Sequence, residues 1–166
     1  MLDAFQPYLQ WDLGRWEVYG LFFLLGSFVV ATLSDVKHMS AQREFMDVWW
    51  AFAALLFVLQ LGLASWRFEA PFVLKWVLLA LLCALSHRAI GLWLRLATAD
   101  VAAIAAAGAL FSPLLLLAFF VLLKLLAWPA AKLLARGRPA YPFMPVVTLA
   151  TLAIVGAAMV TGVVDL

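Results

Sequence analysis

Two aspartates stand at the edges of long apolar runs: Asp35 at the end of the first, and Asp100 at the head of the alanine-rich stretch within Leu96–Phe111. A carboxylate in so apolar a setting is costly to bury and marks a functional site by default. Two that face each other cannot easily both ionise, so the pair holds a proton between them. One member can then take a proton from water while the other protonates a carbonyl oxygen, which is the logic of aspartic proteolysis. Each acid also has a plainer account. Asp35 could simply close an apolar run near the membrane boundary, where charges are cheap. Asp100 fits a first-turn acid favoured by the helix dipole. The catalytic and structural accounts do not exclude each other.

Other chemistries find less support. One cysteine, Cys83, and two histidines are too few for a typical zinc site. Ser86 and His87 are adjacent, so on a helix they point about 100° apart and cannot pair as nucleophile and base. No phosphate-binding glycine loop, dinucleotide fingerprint or Gly-x-Ser-x-Gly elbow occurs. No metal and no cofactor is expected.

The elements that must position the two acids follow from composition. The 166 residues are 68% hydrophobic and 12% charged, with mean hydropathy +1.09. An ordinary soluble domain is about half apolar and a quarter charged. The net charge of +2 is too small to suggest a nucleic-acid partner. The pattern predicts an all-α polytopic membrane protein, a single domain over residues 1–166 whose partner is the lipid bilayer. Residues 1–16 lack the basic start and short apolar core of a cleavable leader and read as an interfacial lead-in. Six transmembrane spans are expected, at about 17–34, 47–65, 71–85, 99–111, 113–128 and 143–164. Residues 89–96 read as the third helix leaving the membrane core, and Pro129 kinks or ends the fifth span. Trp49 and Trp50 suit an interface anchor.

The basic residues sort by loop. Lys37 and Arg43 follow span one, Arg88 and Arg95 span three, and Lys132, Arg136 and Arg138 span five, whereas the even-numbered loops offer only Arg67. The positive-inside rule then puts both termini outside, and Asp35 and Asp100 at the cytoplasmic end of their helices. Asp47 reads as a helix-start residue first and a substrate contact second. Glu44 and Glu17 join it as candidates for a basic ligand on charge alone. Lys37, His38 and Arg43 fit a solvated loop, His87 a polar helix end, and Cys83 a small core residue. Lys124, inside span five, either snorkels or has a charge partner.

The acid-bearing stretches resemble those of the type IV prepilin peptidases, the GxGD-type membrane aspartyl proteases, and most closely their small archaeal branch of preflagellin and prepilin peptidases. Ala31-Thr32-Leu33-Ser34-Asp35-Val36-Lys37, then Arg43 and Trp49-Trp50, is similar to the segment around that family's first aspartate. Ala97-Thr98-Ala99-Asp100-Val101, leading to Phe111-Ser112-Pro113, is similar to the second, with Ala97 where the motif has glycine and Ala99 within its looser form. Arg138-Pro139-Ala140-Tyr141-Pro142-Phe143-Met144-Pro145 resembles the family's segment before the last span. The resemblance covers about residues 20–160. It implies an endopeptidase of the plasma membrane, active at the cytoplasmic face, that removes a short basic leader from prepilin-like or preflagellin-like precursors with Asp35 and Asp100 as its dyad. The competing readings are a proton-coupled carrier, an assembly subunit, or a family member whose activity is lost with the Ala97 substitution.

Overall fold

The computed structural model describes residues 13–38, 43–63, 67–134 and 141–160, which form six α-helices and no strand. They are α1 (Arg15–His38), α2 (Arg43–Leu63), α3 (Ala70–Ser86), α4 (Thr98–Gly108), α5 (Pro113–Leu134) and α6 (Met144–Val160). Most of the expected lead-in, Arg136, Arg138 and the end of the sixth run lie outside the described residues. Of the lead-in, Leu13 is buried, and Arg15 already opens α1.

Three helices, α1, α2 and α5, are long and apolar enough to cross a membrane. The 11 residues of α4 are far fewer; at about 1.5 Å per residue the helix is roughly half as long as a hydrocarbon core is thick. It has no need to meet lipid. Apolar on every side, it is enclosed by the other helices, and every residue from Val101 to Phe111 is buried. Its alanines let neighbouring backbones come close, and α2 packs along it most extensively. At Gly108 a Cβ would lie 2.7 Å from a Leu79 methyl and 2.9 Å from a Leu116 methyl, so α3 and α5 close on α4 where there is no side chain. The outer surface is the reverse: Trp16, Phe23, Leu33, Leu125 and Trp128 are large, apolar and exposed. So much exposed apolar surface marks a face built for lipid or partners.

α1 pairs with α6 and runs antiparallel to it. The Thr148 hydroxyl donates to the Met144 carbonyl at 2.9 Å. With that proton committed, it accepts from the Thr32 hydroxyl, 2.8 Å away. This stitch fixes the register one turn from Asp35.

Several expectations are corrected. Trp49 is no interface anchor; it is fully buried. Its indole N–H donates to the Ser27 hydroxyl at 3.0 Å, and its ring packs against Phe28 and Phe45, with centroids 5.4 and 5.8 Å away. Only Trp50, 41% exposed, faces outward. Residues 89–96 are not the end of a helix. α3 stops at Ser86, and the chain doubles back so that the Arg88 amide donates to the Leu96 carbonyl and the Leu96 amide to the Ser86 carbonyl. Gly91, at φ 63°, and Arg95, at φ 64°, make the left-handed bends this needs. The Lys124 ammonium holds the loop by donating to the Trp93 carbonyl, with the Trp93 ring 5.5 Å from it. Its partner is therefore a backbone carbonyl and an aromatic face. α5 does not end at Pro129 but continues to Leu134, as apolar helices with proline often do.

Candidate active site

Asp35 lies in the last turns of α1, inside the helix and not beyond its end, and is buried with 7% exposure. Its Oδ2 accepts the Met144 amide at 3.1 Å, and the Phe143 amide also faces it. The sequence explains why these two donors serve. Pro142 and Pro145 have no N–H, so Phe143 and Met144 carry the free amides at the head of α6. A carboxylate from another helix thus caps α6, where the helix dipole favours negative charge.

Asp100 is the third residue of α4. The residue before that helix, Ala97, has no side-chain oxygen to cap it. The Asp100 carboxylate turns back to the Ala97 amide instead, as the acid of a capping box does. Ala97 itself is extended, at φ −69° and ψ 159°, and exposed. Any residue adopts that backbone, so no conformational reason requires glycine there. Ala99 is half-buried on the first turn.

The two carboxylates lie within each other's electrostatic reach. The head of α4, which carries Asp100, and the head of α6, capped by Asp35 from the end of α1, therefore lie at one end of the molecule. Tyr141 is half-buried just before α6, its ring 6.1 Å from that of Phe143. Burial, and secondarily the charge of Asp100, hold its phenol above the ordinary tyrosine range. At neutral pH it is an uncharged hydrogen-bond donor within the electrostatic reach of Asp100. Its only sequence signal was its place between Ala140 and Pro142 in the segment before α6.

The remaining candidates are spread out. Glu44 and Asp47 are exposed on the first turns of α2, and Lys37 is exposed at the end of α1. Glu17 is at the opposite end of α1, 18 residues from Asp35, or about 27 Å along the axis. It acts electrostatically on Lys75 and cannot share a ligand with the two aspartates. His87 caps α3: its Nδ1 accepts the Ala89 amide, leaving Nε2 to donate to the Thr98 hydroxyl at 3.3 Å. Among the described residues, no group of three or more His, Cys, Asp or Glu could hold a metal ion.

A second polar cluster, at the far end of α4, was not anticipated. The Lys75 ammonium donates to the Ala109 carbonyl at 2.7 Å and to Gln60 Oε1 at 3.1 Å. Gln60 Nε2 donates to the same carbonyl at 3.1 Å, and the Trp76 indole donates to Gln60 Oε1 at 3.2 Å. A cation thus meets the negative end of α4. The signal was there to read: Lys75 and Gln60 are polar residues inside apolar runs.

No family model, no curated protein and no solved structure matches the chain.

Proposed function

We propose that this protein is a membrane aspartyl endopeptidase of the prepilin-peptidase kind, with Asp35 and Asp100 as its dyad. The observation that carries the reading is the meeting of these two acids at the heads of α4 and α6, in each other's field. The chain would pass from one side of the membrane to the other six times, with the short α4 making its passage inside the bundle and both termini outside, and the positive-inside rule would put the dyad at the cytoplasmic face of the plasma membrane. The substrate would be a prepilin-like or preflagellin-like precursor, a basic leader followed by an apolar helix.

In this mechanism the dyad holds one proton. The ionised carboxylate takes a proton from water as the water oxygen attacks the scissile carbonyl carbon. The protonated partner gives its proton to the carbonyl oxygen, leaving a neutral tetrahedral diol. Collapse breaks the C–N bond: the dyad's protonated carboxyl gives its proton to the leaving nitrogen, and one diol hydroxyl gives its proton to the dyad's carboxylate as the carbonyl reforms. The products are an acid and an amine, and the dyad again holds one proton. Which aspartate acts first as base is a property of the pair. Tyr141, neutral and within the electrostatic reach of Asp100, would donate to the diol oxygen.

A second reading has its own observation. The bond from the Met144 amide makes Asp35 a structural cap, as a non-catalytic assembly subunit would require. One experiment separates the two. Purified protein in lipid vesicles is mixed with a synthetic precursor peptide, and the products are read by mass spectrometry. Cleavage at one bond that is lost in both Asp35→Asn and Asp100→Asn supports the protease. Absence of cleavage by the parent protein supports the subunit.

A further inference from the structure

Between α2 and α3 lies a cavity of about 440 Å³, with Thr98, Val101 and Ala105 of α4 as its floor. At about 100° per residue, Asp100 lies roughly 130° round α4 from these three, so the cavity is on the side of the helix turned away from the two acids. Side-chain size keeps it open. Ala53 on the α2 wall, and Ala80 and Ala84 on the α3 wall, are too short to bridge it. Farther along, the Phe57 ring meets Phe72 and Trp76 at 5.4 and 5.1 Å and closes that end.

The shape is that of a slot. Along α3 it runs from Trp76 to His87, a length of about 16 Å, and one leaflet of a hydrocarbon core is about 15 Å thick. Spread over that length, 440 Å³ is a channel only about 6 Å across, too narrow for a helix about 10–12 Å wide. Ala80 and Ala84 are exposed beside Val77 and Leu81, so the slot opens sideways onto the apolar outer surface.

Its polar end is basic. His87 Nε2 donates to the Thr98 hydroxyl at 3.3 Å, and that hydroxyl, which is exposed, keeps its own proton to donate. Arg88, the next residue, is exposed, and no acid occurs between Glu69 and Asp100. On α2, Asp47 and Glu44 lie roughly 90° or more round the helix from the face carrying Trp50, Ala53 and Phe57. Basic residues at a membrane boundary attract anionic headgroups.

We propose that this slot binds one acyl chain of an anionic phospholipid from the surrounding bilayer, with Thr98 donating to an ester carbonyl and Arg88 pairing with the phosphate. The chain fills the space that the alanines leave and completes the packing of α2 and α3 round α4. The site is separate from Asp35 and Asp100, so it stands whether or not they cleave a peptide.

The test uses the full-length protein, stripped of lipid in detergent micelles and then given phosphatidylglycerol. Native mass spectrometry should show one retained lipid per chain. Ala84→Trp, which fills the slot, should lose it, whereas Leu81→Trp, on the exposed surface outside, should keep it. Arg88→Gln should weaken retention about fivefold for phosphatidylglycerol. Cys83, the chain's single cysteine, lines the slot and gives a second measurement without any substitution. Its alkylation by an apolar maleimide should slow several-fold as phosphatidylglycerol is added. Equal retention by Ala84→Trp and the parent, with no change in Cys83 alkylation, overturns the proposal. Equal retention by Arg88→Gln and the parent overturns the headgroup contact and with it the preference for an anionic lipid. Protection of Cys83 by a synthetic leucine- and alanine-rich helix but not by lipid assigns the slot to a peptide and overturns the proposal. Protection that follows protein concentration instead assigns it to a second copy of the chain, with the same result.

Discussion

Replacing Asp35 in two ways separates its chemical role from its structural one. In Asp35→Asn the amide oxygen can still accept the Met144 N–H now held at 3.1 Å. What is lost is the charge at the head of α6, worth about 0.3–1 kcal/mol. Against this, repulsion with Asp100 disappears, a term of opposite sign and similar size. The net stability change should be within about 1 kcal/mol. Asp35→Ala removes the acceptor altogether. Met144 and Phe143 are 0% and 4% exposed, so water cannot readily replace it. Each buried amide left without a partner costs about 1–3 kcal/mol. Activity should follow a different order. Losing one member of an acid–base pair costs about 100-fold or more, equivalent to about 2.7 kcal/mol of barrier, in both variants alike. The assay is denaturant unfolding in detergent micelles alongside peptide cleavage. If Asp35→Asn cleaves at the parent rate, the dyad is refuted. If Asp35→Ala is as stable as Asp35→Asn, the cap on α6 is refuted.

Other consequences follow from single contacts. Trp49→Phe loses the bond to Ser27 and part of a fully buried ring and should cost about 1–3 kcal/mol, and Trp49→Ala about 3–5 kcal/mol, read by the same unfolding measurement. Lys75→Met withdraws the ammonium from the Ala109 carbonyl; amides near residues 105–110 should exchange hydrogen faster, while those at the head of α4 keep their protection. Tyr141 should ionise above the ordinary tyrosine value of about 10, and Tyr141→Phe should abolish that step in an absorbance titration. Because the folded phenol is held above its unfolded value, stability from this group is complete below about pH 10 and declines as pH rises through the folded value; Tyr141→Phe should remove that decline.

Much of the helical framework was legible because hydropathy and breakers are local properties. The apolar runs and Pro113 locate α5, and Ser112-Pro113 separates it from α4. The return of the chain at 87–97 was not legible. It depends on left-handed bends at Gly91 and Arg95 and on a clasp from Lys124, 31 residues from Trp93 in sequence. Trp49 reads as an interface residue by type alone; only its place between Phe28 and Phe45 buries it.

The same division holds at the site. Taken alone, the amino-acid order determined an all-helical, strongly apolar chain with one acid closing the first run and another opening the fourth. It also determined that Pro142 and Pro145 lack amides on either side of Phe143 and Met144, whose free amides stand at the head of α6. Tertiary structure alone decided which group those amides would meet. Asp35, 109 residues from Met144, reaches them because α1 and α6 are held in register by Thr32 and Thr148. It likewise decided that α4, too short to need contact with lipid, would be enclosed by the others and would bring Asp100 into the field of Asp35. Hydropathy is carried by each residue wherever it sits, whereas the pairing of a buried carboxylate with a distant helix head exists only once the helices are packed.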